Sequence, residues 1–241
     1  MPTPKFKLKD SKPDTDFIQW NETMSHKQDI DLYYEGSHPF IRWVEKCRLN
    51  VITDCINKHI RKNKIYDPSI VEVGCGTGHV LKHILDNVET KNLVGVDPLD
   101  WWLDKAKARL GDKVKLLKGF AEKTPFENNS FDFAVCTEVI EHVIDPTVVL
   151  RELKRIVKNK GLIVVSTPNE KLINELKDIV DFMQIYRMFF SNIPRHNDDE
   201  WHIHTFDLNS FRKHVPDEMK IYSVIPVPSF LLPLRYVFTL K

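Results

Sequence analysis

The sequence predicts an α/β fold built on a doubly wound, mostly parallel sheet of seven strands, finished by an antiparallel C-terminal hairpin. Three observations carry this expectation. Short apolar runs alternate with helix-like segments between residues 70 and 169, and strands separated in this way pair in parallel with helices on both faces. The first strand runs straight into a glycine-rich turn, Val71-Glu72-Val73-Gly74-Cys75-Gly76-Thr77-Gly78. The last two strand-like stretches, Met219–Val227 and Arg235–Leu240, stand too close together for a helical crossover, so they pair antiparallel.

The elements follow in order. The first 36 or so residues are polar with scattered aromatics (Phe17, Trp20, Tyr33, Tyr34) and read as an arm that orders by packing on something else. Ser37 caps an expected helix, Pro39 suits its first turn, and Phe40, Ile41, Val44, Val51, Ile52, Cys55, Ile56 and Ile60 recur at helical spacing. Strands are expected at Ile70–Val73, Leu93–Asp97, Val114–Lys118, Phe131–Thr137 and Leu162–Thr167. Helices are expected at His79–Asn87, Trp101–Leu110 and Pro146–Val157. After the fifth strand an apolar helical pattern spans Leu172–Phe190, then a polar loop, Pro194–Glu200, and a short helix near Asn209–His214 capped by Asp207. The expected organisation is one domain over 1–241: N-terminal arm and helix (1–64), cofactor-binding core (65–169), helical lid (170–205), and C-terminal helix and hairpin (206–241).

Bulk properties exclude several classes. The 241 residues can bury a full core, and 35 basic residues nearly balance 34 acidic ones. Nothing in that balance favours nucleic acid or an anionic membrane. The N-terminus lacks a signal-peptide layout, no apolar run approaches a membrane span, and the four cysteines have no CxxC spacing. These features read as a cytoplasmic protein with reduced thiols.

Glycine allows a sharp turn and the close approach of a ligand, so the turn marks a nucleotide-like cofactor site. Its spacing is G-x-G-x-G with Glu72 before it, whereas the nicotinamide dinucleotide fingerprint is G-x-G-x-x-G. Asp97 ends the next strand about twenty residues on, where a carboxylate accepts from both ribose hydroxyls.

The motifs V-E-V-G-C-G-T-G, V-G-V-D-P, P-F-E-N-N-S-F-D-F, T-E-V-I-E-H-V and R-E-L-K-R-I-V-K-N-K-G-L-I-V-V-S-T-P-N occur in that order over residues 70–169. Together they resemble class I S-adenosylmethionine-dependent methyltransferases, which implies a Rossmann-like fold and S-adenosyl-L-methionine as methyl donor. The resemblance places Gly74, Cys75 and Gly76 against the methionine and ribose part, with Glu72 just before them. It puts Asp97 on the ribose, Pro98 and Leu99 beside the adenine, Ala121 and Glu122 near the adenine edge, and Thr137 at the methionine moiety. Phe120 departs from the pattern, since many relatives carry an aspartate there.

Methyl transfer is an in-line displacement, so orientation dominates. A hydroxyl acceptor additionally needs a base or a Lewis acid. If a helix follows Thr137, then Glu138, Glu141 and His142 share one face and form an acceptor-activating cluster. Two carboxylates and an imidazole also make Mg²⁺ an optional cofactor; no residue is assigned as a metal ligand outright. This E-x-x-E-H pattern resembles the ubiquinone-biosynthesis O-methyltransferases, and that likeness places Arg48 near the methionine carboxylate. It also resembles small-RNA 2′-O-methyltransferases, where a later histidine, here His204, would complete the set; the chain lacks a basic, aromatic-interleaved nucleic-acid surface. His202 and His204 alternate with Trp201, Ile203 and Thr205, as in an extended segment with one face over the pocket. The expected function is O-methylation of a small-molecule or lipid-linked acceptor, with RNA 2′-O-methylation or a non-catalytic scaffold as alternatives. The apolar lid and Phe230, Leu231 and Leu232 leave a peripheral membrane contact open.

Overall fold

A computed structural model describes residues 6–27, 29–182 and 201–241. The chain opens on a short hairpin, β1 (Leu8–Lys9) and β2 (Lys12–Pro13), followed by α1 (Thr15–Lys27). What this arm packs on is the domain itself. Met24 joins Leu99, Trp102 and Trp201 in one apolar cluster, with Trp20 against it. The apolar spacing does not reveal α1 because its only large buried side chains are Phe17 and Met24, too few to set a period.

A single π-helical turn, Leu32–Gly36, leads to α2 (Pro39–Asn63). Its cap is His38 rather than the expected Ser37: the His38 ring accepts from the Phe40 N–H at 3.2 Å. Pro39 then fills a first-turn position whose N–H would have no intrahelical partner. Ser37 is instead buried beneath the turn. The helix ends at Lys64, whose left-handed backbone (φ 53°) returns its N–H to Ile60 O. Ile52 and Ile56 are fully buried, each stabilising the fold by about 1.5–3 kcal/mol.

The sheet contains β3 (Ser69–Val73), β4 (Asn92–Asp97), β5 (Lys115–Lys118), β6 (Phe131–Thr137), β7 (Val157–Pro168), β8 (Ile221–Pro228) and β9 (Pro233–Leu240). Its order is β5-β4-β3-β6-β7-β9-β8. The five strands from β3 to β7 run parallel, and β9 is antiparallel to both neighbours. Between them lie α3 (His79–Asn87), α4 (Asp100–Leu110) and α5 (Pro146–Ile156), with α6 (Glu170–Phe182) and α7 (Leu208–His214) after β7. The expected boundaries hold to within one or two residues except at β7, which begins at Val157. There Phe131 pairs with Val157 before the register shifts to Phe133↔Leu162; Lys158-Asn159-Lys160-Gly161 reads as a turn because it is polar and ends in glycine.

Successive strand residues face opposite layers. Val71, Ala134, Ile163 and Val165 pack on α5 with Val149, Leu150 and Leu153. Ile70, Phe133, Leu162 and Val164 pack on α2 and α3 with Ile52, Ile56, Leu81 and Ile84. With both faces covered, these strands are apolar almost throughout, as parallel strands require.

Topology positions the site. From β3 the chain steps outward through β4 and β5, then returns to β6 on the other side of β3. The carboxyl ends of β3 and β6 therefore flank the crevice where open α/β sheets bind ligands. Arg235 pairs with Pro168, so the start of β9 lies at this same edge. The expected helix over Leu172–Phe190 is observed from Glu170 to Phe182; its remainder and the loop Pro194–Glu200 lie outside the described residues. No described helix is long and apolar enough to cross a membrane.

Candidate active site

A cavity of about 600 Å³ opens at the carboxyl edge of the sheet and is closed from the other side by the N-terminal segment, including Phe17, Ile30, Tyr33 and Tyr34. The glycine turn forms its floor. Gly74 and Cys75 both donate their N–H to Val96 O, at 2.8 and 3.0 Å, tying the turn to β4. Gly74 has φ +79°, and a Cβ there would stand 2.3 Å from Val139 Cγ2. No other residue fits that position without repacking.

Asp97 is held just as firmly. Its Oδ2 accepts from Gly76 N–H at 2.9 Å and its Oδ1 from Leu99 N–H at 3.0 Å. Burial pushes its carboxyl up to about 7, against the opposing pull of those two bonds. Each oxygen keeps lone-pair capacity for a ligand. Glu72 is buried with Oε2 unpartnered among the described residues, and burial carries it well above the usual carboxylate range. Glu122 is pushed up to about 7, again by burial. Pro98, Phe120, Ala121 and Thr137 complete this half of the wall. Leu99 is buried in the aromatic cluster instead.

Arg48 lines the cavity and is fully buried. Its Nε donates to Glu45 at 2.8 Å, its Nη1 to Ser166 Oγ at 3.1 Å, and its Nη2 to the Tyr34 hydroxyl. A second arginine, Arg235, donates to the Tyr33 hydroxyl at 2.7 Å, and Tyr33 donates onward to Glu45 at 3.0 Å. Arg235 Nε lies 2.9 Å from Glu138 Oε2. Burial alone would raise Glu45, yet the two guanidiniums hold it below its ordinary value. The pairs Arg48–Glu45 and Arg235–Glu138 thus balance two buried cations with two carboxylates.

The segment Glu138–His142 is not a helix. Glu138 takes a left-handed backbone (φ 54°), the stretch runs as turns, and α5 starts only at Pro146, where Asp145 caps it. The three side chains therefore do not share a helical face. Glu138 turns to Ser166 Oγ, 2.8 Å away, and to Arg235. Glu141 is buried, with Oε2 unpartnered among the described residues. Burial raises its carboxyl well above the usual range, and the Glu138 charge adds to this. His142 is driven well below the ordinary imidazole value by burial and by His202.

His202, not His204, is the later histidine that reaches the cavity. Ile203 and His204 both donate their backbone N–H to Glu141 O, which bends the segment and breaks the expected alternation. His204 is carried to the carbonyls of Val143 and Ile144, at 3.0 and 3.3 Å from its Nε2. Glu141, His142 and His202 bring ligand-capable atoms within 4.8 Å of one another. A single carboxyl beside two imidazoles does not fit Mg²⁺, which demands oxygen ligands.

Except for Leu99, every residue expected at the methyl donor lines this cavity, as do Glu138, Glu141 and His142. Sequence reasoning missed Arg235, Glu170 and Asp31, and chose His204 over its neighbour His202. Asp31 accepts from Thr77 Oγ1 at 2.8 Å and from His79, Lys105 and Arg109 at 3.0 Å, clasping the N-terminal segment onto the glycine turn. Local spacing carries no signal for these contacts.

Residues 71–165 match the family model described as a methyltransferase domain. Over 139 residues the chain is 32% identical to the ubiquinone biosynthesis O-methyltransferase of Rickettsia bellii, covering 56% of this chain and 55% of that protein. Over 115 residues it is 36% identical to the enzyme of the same name from Colwellia psychrerythraea, covering 46% of each. The chain spans about half the length of these curated relatives. In fold it resembles an S-adenosylmethionine-dependent methyltransferase from Clostridium acetobutylicum, with TM-score 0.59 and 13% identity over 91% of this chain and 98% of that one. Residues 71–165 are thus similar to a methyltransferase domain, and the chain shares the Rossmann-like fold of that solved structure.

Proposed function

We propose that the chain transfers a methyl group from S-adenosylmethionine to an oxygen of a small or lipid-linked acceptor. The observation that carries this reading is a single cavity in which the Gly74–Gly76 turn and the aligned Asp97 carboxylate face a second compartment of carboxylates and imidazoles. Asp97 would accept from the ribose hydroxyls, having both oxygens already oriented by Gly76 and Leu99. Phe120, Pro98, Ala121 and Glu122 would bound the adenine, with the Phe120 ring offering a stacking face where many relatives have an aspartate. Thr137 and the Arg48–Tyr34 pair would border the methionine end; the Arg48 donors are already engaged by Glu45, Ser166 and Tyr34. When bound, the donor supplies a methyl group made electrophilic by its sulfonium. The chain then has to align the acceptor, exclude water and take up its proton.

Oxygen is favoured as acceptor atom because the second compartment offers proton acceptors, Glu138, His142 and His202. A lipid-linked acceptor is supported by the apolar rim. Leu32 and Phe40 line the cavity yet stay exposed, and Phe230 and Leu231, 85% and 92% exposed, sit at the tip of the β8–β9 hairpin on the same sheet edge.

Equilibrium dialysis with methyl-labelled S-adenosylmethionine tests the reading. Saturable binding that excess NAD⁺ does not displace is expected. Displacement by NAD⁺ would assign the turn to a dinucleotide and overturn it.

A further inference from the structure

Lysines crowd the end of the sheet that faces away from the cavity. Lys58, Arg61 and Lys62 stand at i, i+3 and i+4 on the last turns of α2, a spacing that puts them on one helix face. Lys220 and Lys241, just beyond the ends of β8 and β9, exchange both backbone hydrogen bonds at 2.8 and 3.0 Å. Their side chains therefore leave the same face of the ladder directly opposite one another. Like charges at i, i+4 and in a directly opposed strand pair are both destabilising. Lys58, Lys62, Lys220 and Lys241 have no ion-pair partner among the described residues, whereas Lys82, Lys107 and Lys118 each have one. The α2 dipole accounts for Arg61 and Lys62 near its carboxyl end, but not for the opposed pair.

A tyrosine sits among these cations. The β8–β9 register shifts between Ile221 and Ser223, so Tyr222 is the extra residue of a bulge, a device that re-aims a strand side chain. Its ring is exposed, with Lys241 Nζ 4.9 Å and Lys62 Nζ 5.7 Å from the centroid. Lys62 also donates to the Tyr222 hydroxyl at 3.2 Å. That bond, with the charges of Lys62, Lys241 and Lys58, holds the phenol below its ordinary value. Strand β8 is an edge of the sheet, and lysines on an edge strand discourage pairing with other chains. Here β8 itself carries no charged residue; the lysines come from α2 and the end of the ladder.

We propose that this patch, Tyr222 with Lys58, Lys62, Lys220 and Lys241, is a docking site for an acidic segment of a partner protein. Carboxylates of that segment neutralise the crowded lysines, and the Tyr222 ring gives it an apolar seat. Position argues against a membrane as occupant. Helix α2 starts at the cavity wall with Phe40 and Ile41, and its 25 residues span about 37 Å before reaching the patch. A bilayer on the patch would leave the cavity and the exposed Phe230 and Leu231 on the far side of the molecule. Size argues against nucleic acid, which is held through many phosphates. Asp54 lies one helical turn before Lys58, and Asp217 and Glu218 lie just before Lys220, so the positive surface is confined to a few residues. A partner docked here leaves the cavity open to its own ligands.

Fluorescence anisotropy with a fluorescein-labelled octaglutamate peptide, at about 50 mM salt, tests the proposal. The wild type is expected to bind the peptide saturably. Lys62→Glu with Lys241→Glu should weaken binding about tenfold or more, and Tyr222→Ala about threefold. Lys82→Glu with Lys118→Glu makes the same change in net charge at lysines outside the patch and should leave affinity within about twofold. If the patch reversal lowers the melting temperature, Lys62→Gln with Lys241→Gln decides, with an expected loss of about threefold to fivefold. Failure of the wild type to bind the peptide, or equal losses from the two charge reversals, would overturn the proposal. So would tighter binding of duplex DNA, or of phosphatidylserine vesicles, in the same buffer.

Discussion

The two halves of the cavity are built in opposite ways. The half proposed to hold the donor is made of backbone: Gly74, Cys75 and Gly76 occupy consecutive positions, and Asp97 is aimed by two backbone N–H groups from within a few residues of strand ends. The acceptor half is made of long side chains from distant segments. Arg235 reaches Tyr33 across 202 positions of sequence, and His142 meets Trp201 O across 59. A backbone site is rigid and readable from a short motif. A side-chain site can change its acceptor by substitution, and its members can be found only once the fold brings them together.

The difference predicts where damage goes. Arg48→Met should give the largest loss of stability, about 3–5 kcal/mol, because it removes the closer of the two guanidiniums, at 2.8 Å against 3.4 Å for Arg235, from the buried Glu45 carboxylate. Thermal melting should fall by about 10 °C or more for a chain of this size, and adding Glu45→Gln should recover most of it. If the single change is silent in a melt, the buried pair is not what joins α2 to the sheet.

Gly74→Ala strikes the backbone half. The left-handed φ and the 2.3 Å approach to Val139 Cγ2 together should cost about 2–3 kcal/mol. Pairing it with Val139→Ala should restore stability only partly, because the φ penalty remains; a full recovery would show that side-chain contact alone sets the turn.

A pH series gives the next effect. Burial pushes the Asp97 carboxyl up to about 7 in the cavity, and in the proposed binding mode the ribose hydroxyls would donate to its ionised form. Affinity for S-adenosylhomocysteine should therefore level off above about pH 7 and fall up to tenfold per pH unit below it, and Asp97→Asn should flatten that dependence. The stability sign is opposite. A buried carboxyl raised above its unfolded value of 3.8 retains protons the unfolded chain has released, so its contribution falls as pH rises from about 4 to 7.

The smallest effect is expected at His204. With its Nε2 on two backbone carbonyls, His204→Gln should lower stability by about 1 kcal/mol in a chemical denaturation series. A large drop would mean the bend at residues 203–204 depends on the imidazole.

Legibility follows the same division. The alternation of strands and helices, the terminal hairpin and the glycine turn beside Asp97 can all be read from the sequence, because apolar period and glycine spacing are local properties. Glu138–His142 resists that reading. Its spacing suits a helical face, but the left-handed Glu138 and the salt bridge to Arg235 hold it in turns. His202 and His204 look equivalent on an alternating strand. Two N–H bonds to one carbonyl, Glu141 O, decide that only His202 faces the cavity. Helix α1 stays hidden because its partners, Trp102 and Trp201, are distant in sequence.

The central claim is that Asp97 and the glycine turn hold a methyl donor. Calorimetric titration of the wild type and Asp97→Ala with S-adenosylhomocysteine tests it most directly. Losing charge-assisted hydrogen bonds of about 1.5–3 kcal/mol each should weaken binding by about a hundredfold or more, while the wild type binds below millimolar concentration. No binding by the wild type, or equal binding by the two proteins, would contradict it.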